Sequence, residues 1–240
     1  MMKPEIVTMG GGGRHNETLE ESSSRILRGA SWKKNRIIVL VPAAHKIDAK
    51  VYLSHCCLMF PPNNAVHRML CLGMEVGEAY SQAIEAILAH PELSQWEYIL
   101  TLEHDNTPPQ DGVLKLIESM DAHPQFACIG GLYWTKGEGG VPQIWGDPTD
   151  PVLNFRPQVP RPGEVQECCG TGMGFNLWRL SMFKDEKLRR PWFKTVASAE
   201  EGLGTQDLHF WNDARKHGYR CAIDNRVLVG HHDSETGITW

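Results

Sequence analysis

Three short stretches carry side chains able to hold a cation or move a proton. Glu103-His104-Asp105 follows the apolar run Tyr98–Leu102, which reads as a buried strand. Carboxylates two positions apart at a strand end point to one side of the sheet. At the C-terminal edge of a parallel strand they stand where α/β sheets bind ligands. Two carboxylates offered together suit a hard octahedral cation, Mg2+ or Mn2+, with a diphosphate filling further positions. A polar turn ahead of the next helix would use the same residues.

The second stretch, Gly204-Thr205-Gln206-Asp207, opens a helix. Asp207 falls in its first turn, where the positive end of the helix dipole favours ionisation. An ionised carboxylate at the lip of a pocket accepts a proton from an attacking hydroxyl. Plain stabilisation of the helix start is the alternative, and Glu200 and Glu201 lie close by in sequence. The third stretch, Val229-Gly230-His231-His232-Asp233, offers imidazoles, transition-metal ligands that would favour Mn2+ over Mg2+. A histidine pair serves equally as hydrogen-bonded structure.

The elements that must position these residues alternate between strand and helix. Ile37–Val41 is a continuous apolar run ended by Pro42, the pattern of a strand covered on both faces. Val76, Tyr80, Ala83, Ile84 and Ile87 recur at helical spacing, with Pro91 just beyond. After Asn106, Thr107 is placed to cap a helix, Pro108 fits its first position and Gln110 completes a capping box. Val113, Leu116, Ile117 and Met120 form that helix's core face. Phe126–Ile129 reads as a strand ending at Gly130-Gly131. The Pro-rich stretch from Tyr133 to Gln166 is irregular, and its Trp134 and Trp145 suit stacking on a sugar or base, or packing. Gly170-Thr171-Gly172-Met173-Gly174-Phe175 leads into a short helical stretch with Leu177, Leu180 and Phe183. A helix from Gln206 to His217 stops at Gly218, and short strands follow at Tyr219–Ile223 and Arg226–Val229. This alternation predicts one α/β domain over residues 35–240. Residues 1–34, rich in Gly, Ser and charge, read as a disordered tail; their Gly run lacks the Gly-Lys-Ser/Thr ending of a phosphate loop.

Taken in order, an acidic triplet after a strand, Gly130-Gly131, the Gly170–Phe175 motif, the Asp207 helix ending Arg215-Lys216-His217-Gly218-Tyr219 and the terminal Val229-Gly230-His231 resemble GT-A-type glycosyltransferases, similar to the family 2 group. The resemblance runs from Arg36 to Asp233 and is most specific between Gly204 and His232. It implies a single GT-A-like, Rossmann-like domain with a mostly parallel central sheet. It also implies transfer of a sugar from a nucleotide sugar, a UDP-sugar by resemblance, to an acceptor hydroxyl with inversion. Glu103 and Asp105 match the metal-holding triplet that binds the donor diphosphate, with Mn2+ or Mg2+ as the metal. His231 matches the histidine that completes the site, and Asp207 matches the catalytic base. Pro42 matches the edge of the nucleotide pocket, and Gly172 a loop lining the donor–acceptor cleft. The sequence departs from the pattern where Glu103 replaces an Asp, where Gln206 precedes the base, and at Ala79-Tyr80-Ser81 in place of Ala-Arg-Asn. Two rivals are a non-catalytic nucleotide- or sugar-binding module and a metal phosphohydrolase using His232 and Asp233. The second lacks further His and Asp ligands.

A net charge of −5 over 240 residues does not point to a dedicated nucleic-acid binder, which usually shows a basic face, although a local basic patch can sit on an acidic protein. Lys187–Lys194 interleaves basic and aromatic residues and reads either as a phosphate-and-base contact or as a solvated lid. The seven cysteines include no CxxC pair, as expected of reduced thiols. No apolar run approaches the ~20 residues of a membrane span, and no signal peptide is evident. The expectation is a cytoplasmic protein without a membrane span. Its acceptor is left open between a glycan, a protein, a small molecule and a modified DNA base.

Overall fold

The computed structural model describes residues 35–61, 65–198 and 202–240. The tail expected over 1–34, together with Glu200 and Glu201, lies outside them. Its frame is a seven-stranded sheet. Strand β1 (Arg36–Ala43) lies parallel to β2 (Ala65–Leu72) on one side and to β3 (Tyr98–Leu102) on the other. Beyond β3 come β4 (Cys128–Leu132), β5 (Val165–Cys168), β6 (Phe175–Arg179) and β7 (Cys221–Leu228) along the chain. The spatial order is β2-β1-β3-β6-β4-β7-β5. β6 and β5 run against the other five strands, so the sheet is mostly parallel.

Alternation along β1 divides the core. Ile38 and Leu40 join one apolar cluster and Ile37, Val39 and Val41 the other, because successive side chains leave a strand on opposite faces. Among the described residues, four helices flank the sheet or its loops: α1 (Ala49–Cys56), α2 (Val76–Ala89), α3 (Gly112–Ala122) and α4 (Gln206–Ala214). On the first face, the α2 stripe of Tyr80, Ala83, Ile84 and Ile87 packs together with Phe210, Trp211 and Ala214 of α4. Val113, Leu116, Ile117 and Met120 of α3 cover the second. Helix α4 tightens into a turn over Arg215–His217 and stops at Gly218, whose φ of +83° suits glycine.

Three expectations are corrected. Leu177 belongs to strand β6 rather than a helix, and only Leu180–Lys184 forms a 3-10 turn. β6 is covered on both faces, with Phe175 and Leu177 on one and Trp178 on the other; a short run that is apolar on every side shows no period to distinguish strand from helix. Thr107 does not cap α3. Asn106–Thr107 instead forms a two-residue antiparallel ladder with Gly230–His231, and α3 begins five residues later behind Asp111. The Asp111 carboxylate lies 2.7 Å from Lys115 Nζ, both almost wholly buried. The two short C-terminal strands are one strand, β7, whose register shifts between Asp224 and Leu228.

The Lys187–Lys194 segment is likewise part of the core on its apolar side. Leu188, Trp192 and Phe193 are buried, Phe193 stacks on Phe210 at 4.7 Å, and Arg190 lies over the Trp192 ring. Its aromatic rings are therefore not free to stack on bases. Trp178, stacked on Trp211 at 5.3 Å, anchors the same layer. Such pairs add about 0.5–1.5 kcal/mol beyond the area they bury. Among the described residues no helix is long and apolar enough to cross a membrane.

Candidate active site

β3 ends at Leu102, one residue before the acidic triplet. Glu103 N donates to Gly174 O at 3.0 Å and Asn106 N to Glu103 O at 3.1 Å, so the triplet is a turn, not a strand end. The same-side rule for extended chain therefore does not apply to Glu103 and Asp105. Asp105 Oδ2 accepts from Lys136 Nζ at 2.6 Å and lies 3.3 Å from His231 Nε2. Burial opposes its ionisation, but the bonds to His231 and Lys136 outweigh this and hold Asp105 well below the usual carboxylate range. For Glu103, Lys136 and Tyr80 counter the burial only in part. Burial first, then the charges of Asp105 and Asp207, push its carboxyl up to about 8.

His231 is brought across 126 residues to Asp105 by the ladder between Gly230–His231 and Asn106–Thr107. Its Nδ1 is 2.8 Å from the carbonyl of Trp134, a contact that requires the proton on Nδ1. A neutral ring then turns the bare Nε2 lone pair toward the Asp105 carboxylate. Two acceptors facing each other at 3.3 Å call for a positive charge between them: a second ring proton or a cation. Carboxylate oxygen and imidazole nitrogen together suit Mn2+, and serve Mg2+ less well. Among the described residues no three of His, Cys, Asp and Glu are grouped to hold a metal.

Two cavities flank Asp105. One, of about 280 Å3, is lined by Pro42, Ala43, Met74, Val76, Glu103 and Asp105. The other, of about 410 Å3, is lined by Asp48, His104, Asp105, Lys136 and His232 among others. Asp207 is buried in the first turn of α4, where it accepts from the Thr205 hydroxyl and, at 2.9 Å, from Leu208 N. Burial raises its pKa in spite of these bonds. Its charge is felt by both Glu103 and Tyr133, which places it on the same interior side.

Gly172 lines neither cavity. It is buried beneath Tyr133 and Gln143, and a methyl group there would meet Tyr133 Oη and, at 2.7 Å, Gln143 Oε1. Tyr133 cannot easily yield. Its hydroxyl accepts from Gly174 N at 2.9 Å, and its ring meets His231 edge-on at 5.6 Å. Gly172→Ala is expected to lower stability by about 1–3 kcal/mol through overpacking. An unchanged midpoint on thermal or urea unfolding would show that the loop relaxes freely.

Sequence reading missed Lys136, Tyr133 and the Asp48–His232 pair. Lys136 and Tyr133 sit in the irregular segment, where no period marks a residue. His232 is buried, with Nδ1 3.0 Å from Thr239 Oγ1 and Nε2 3.3 Å from Asp48 Oδ1. Asp233 instead closes a turn onto Glu235 N and Thr236 Oγ1. The two do not converge, which leaves the phosphohydrolase reading without its ligand pair.

No protein-family model and no curated protein matches the chain. Among solved structures, A197 from STIV is similar over 83% of this chain and 87% of that one, with a TM-score of 0.59 at 14% identity. GalNAc-T7 with UDP, GalNAc and Mn2+ is similar over 82% of this chain (TM-score 0.49, 11% identity), and S. aureus TarS 1–349 in complex with UDP-GlcNAc over 78% (TM-score 0.46, 14% identity). The likeness to A197 is one of fold: a mixed α/β domain built on a mostly parallel seven-stranded sheet. At these identities the likeness speaks to fold alone. The chain spans only 43% of the GalNAc-T7 chain and 55% of the TarS chain.

Proposed function

We propose that this chain is a GT-A-type glycosyltransferase that moves a sugar from a nucleotide sugar, a UDP-sugar, to an acceptor hydroxyl. The observation that carries this reading is the Asp105–His231 pair, with Nδ1 of His231 tied to Trp134 O and Nε2 facing the carboxylate. That pair stands beside a cavity bounded by Pro42 and Glu103, at the sheet edge where α/β folds take their ligands. Asp105 and His231 would hold Mn2+ or Mg2+. When bound, the cation supplies positive charge that stabilises the departing nucleoside diphosphate.

Asp207 acts as the base. It takes the proton of the acceptor hydroxyl as that oxygen bonds to the anomeric carbon and the bond to the diphosphate oxygen breaks. A single displacement inverts the anomeric centre. Burial makes Asp207 a stronger base than an exposed carboxylate, which suits it to a reaction near neutral pH. Glu103 walls the donor cavity, and its raised pKa favours the protonated form, which can donate a hydrogen bond to the donor. The seven free thiols fit a reducing cytoplasm.

The test pairs calorimetry with nucleotide release. UDP and UDP-sugars are titrated with Mn2+ or EDTA present, and release is then followed with glycan, peptide, small-molecule and modified-DNA acceptors. Metal-stimulated UDP release is expected. Binding without release under every acceptor would make the chain a non-catalytic binding module, and absence of nucleotide binding would overturn the reading of the site.

A further inference from the structure

Lys136 stands at the centre of the site, yet it is neither a metal ligand nor the base. Its ammonium bonds the same carboxylate oxygen, Asp105 Oδ2, that faces His231 Nε2. It is carried on a short turn whose base is fixed: Thr135 N donates to Val141 O, Val141 N donates to Thr135 Oγ1, and Trp134 bridges to Pro142. The tip turns on Gly137 and Gly139, both at positive φ, with open space around each. A rigid base with an unobstructed tip lets the lysine leave Asp105 without unfolding the loop. The side chain is 34% exposed and borders the cavity of about 410 Å3.

We propose that Lys136 is a built-in cation of the donor site, competing with a divalent metal for Asp105 and binding the donor's diphosphate. This rests on the nucleotide-sugar reading and deepens it. The electrostatics require a positive charge beside Asp105 Oδ2, and the chain itself provides one. A metal arriving at Asp105 and His231 must displace the ammonium, so the lysine weakens binding of metal alone. The released ammonium is a compact point charge with three donors, the form in which lysine binds phosphate. Where metal is absent, the same ammonium gives the diphosphate a positive partner, so nucleotide binds without metal.

The test uses the full chain as wild type, Lys136→Met and Lys136→Arg, with UDP and Mn2+ as probes. Wild type is expected to bind UDP in EDTA, and Lys136→Met to bind it about 10- to 100-fold more weakly, the worth of one charge-assisted hydrogen bond. Lys136→Arg should recover most of that loss. Without nucleotide, Mn2+ followed by its paramagnetic resonance signal should bind Lys136→Met more tightly than wild type. If wild type binds UDP only with Mn2+, or Lys136→Met binds UDP in EDTA as wild type does, the lysine proposal falls while the donor-site reading stands. Unchanged Mn2+ affinity in Lys136→Met would overturn the competition. If UDP binds under no condition, both fall together.

Discussion

Replacing Asp207 by Asn is expected to cut sugar transfer by roughly 100-fold or more, the range for losing a general base. Asn keeps the size of the side chain and an oxygen to accept from Leu208 N, which lies 2.9 Å from the native carboxylate. Only the capacity to take a proton is lost. UDP binding with and without Mn2+ should be unchanged, because Asp207 is not among the groups around Asp105 and His231. A purely structural role predicts the opposite pattern: the unfolding midpoint shifts while turnover per folded molecule stays intact. Single-turnover transfer on folded variant, with urea unfolding alongside, separates the two. Since burial raises the Asp207 pKa, the wild-type rate should climb with pH through a value above the usual 3.8, as the carboxyl loses its proton. Wild-type transfer by Asp207→Asn would pass the base's role to another carboxylate, with Glu200 and Glu201 next in sequence.

Glu103→Gln should stabilise the metal-free protein at alkaline pH and leave it nearly unchanged in acid. The Glu103 carboxyl moves from the ordinary 4.5 to about 8 on folding, by burial and by the charges of Asp105 and Asp207. A raised folded pKa means that the native state holds this proton more tightly than the unfolded chain does. Its contribution is complete below pH 4.5 and is lost as pH rises through about 8. Gln imitates the protonated form at every pH. At ~1.4 kcal/mol for each tenfold change in proton affinity, wild type should lose roughly 4–5 kcal/mol relative to the variant by about pH 9. Urea midpoints in EDTA, taken in acid near the unfolded pKa and again at about pH 9, read the difference. Parallel pH dependence in the two proteins would mean that water reaches Glu103 and screens its charge.

Much of the frame follows from local pattern. Ile37–Val41 alternates between two apolar clusters because both faces of a parallel strand are covered. The α2 stripe lies where its spacing puts it, and Gly218 ends its helix in the left-handed conformation. Each of these is a matter of a few neighbouring residues, whose steric and apolar demands are visible in the letters themselves. β6 shows where that visibility stops. Whether Phe175–Arg179 is strand or helix depends on β3 and β4 lying open on either side of it, and nothing in the neighbouring sequence states that.

The site divides the same way. The types and order of Glu103, Asp105, Asp207 and His231 were legible because acidic triplets, helix starts and histidines are rare enough to be noticed. Which of them meet was decided by the tertiary structure. Ending β3 at Leu102 turned Glu103 and Asp105 into members of a turn, and the Asn106–Thr107 ladder carried His231 to Asp105 while taking Thr107 from its expected cap. Lys136 left no mark at all in the sequence. Its place 2.6 Å from Asp105 depends on a loop 31 residues downstream folding back across the sheet edge, where a single charge is set by distance rather than by period.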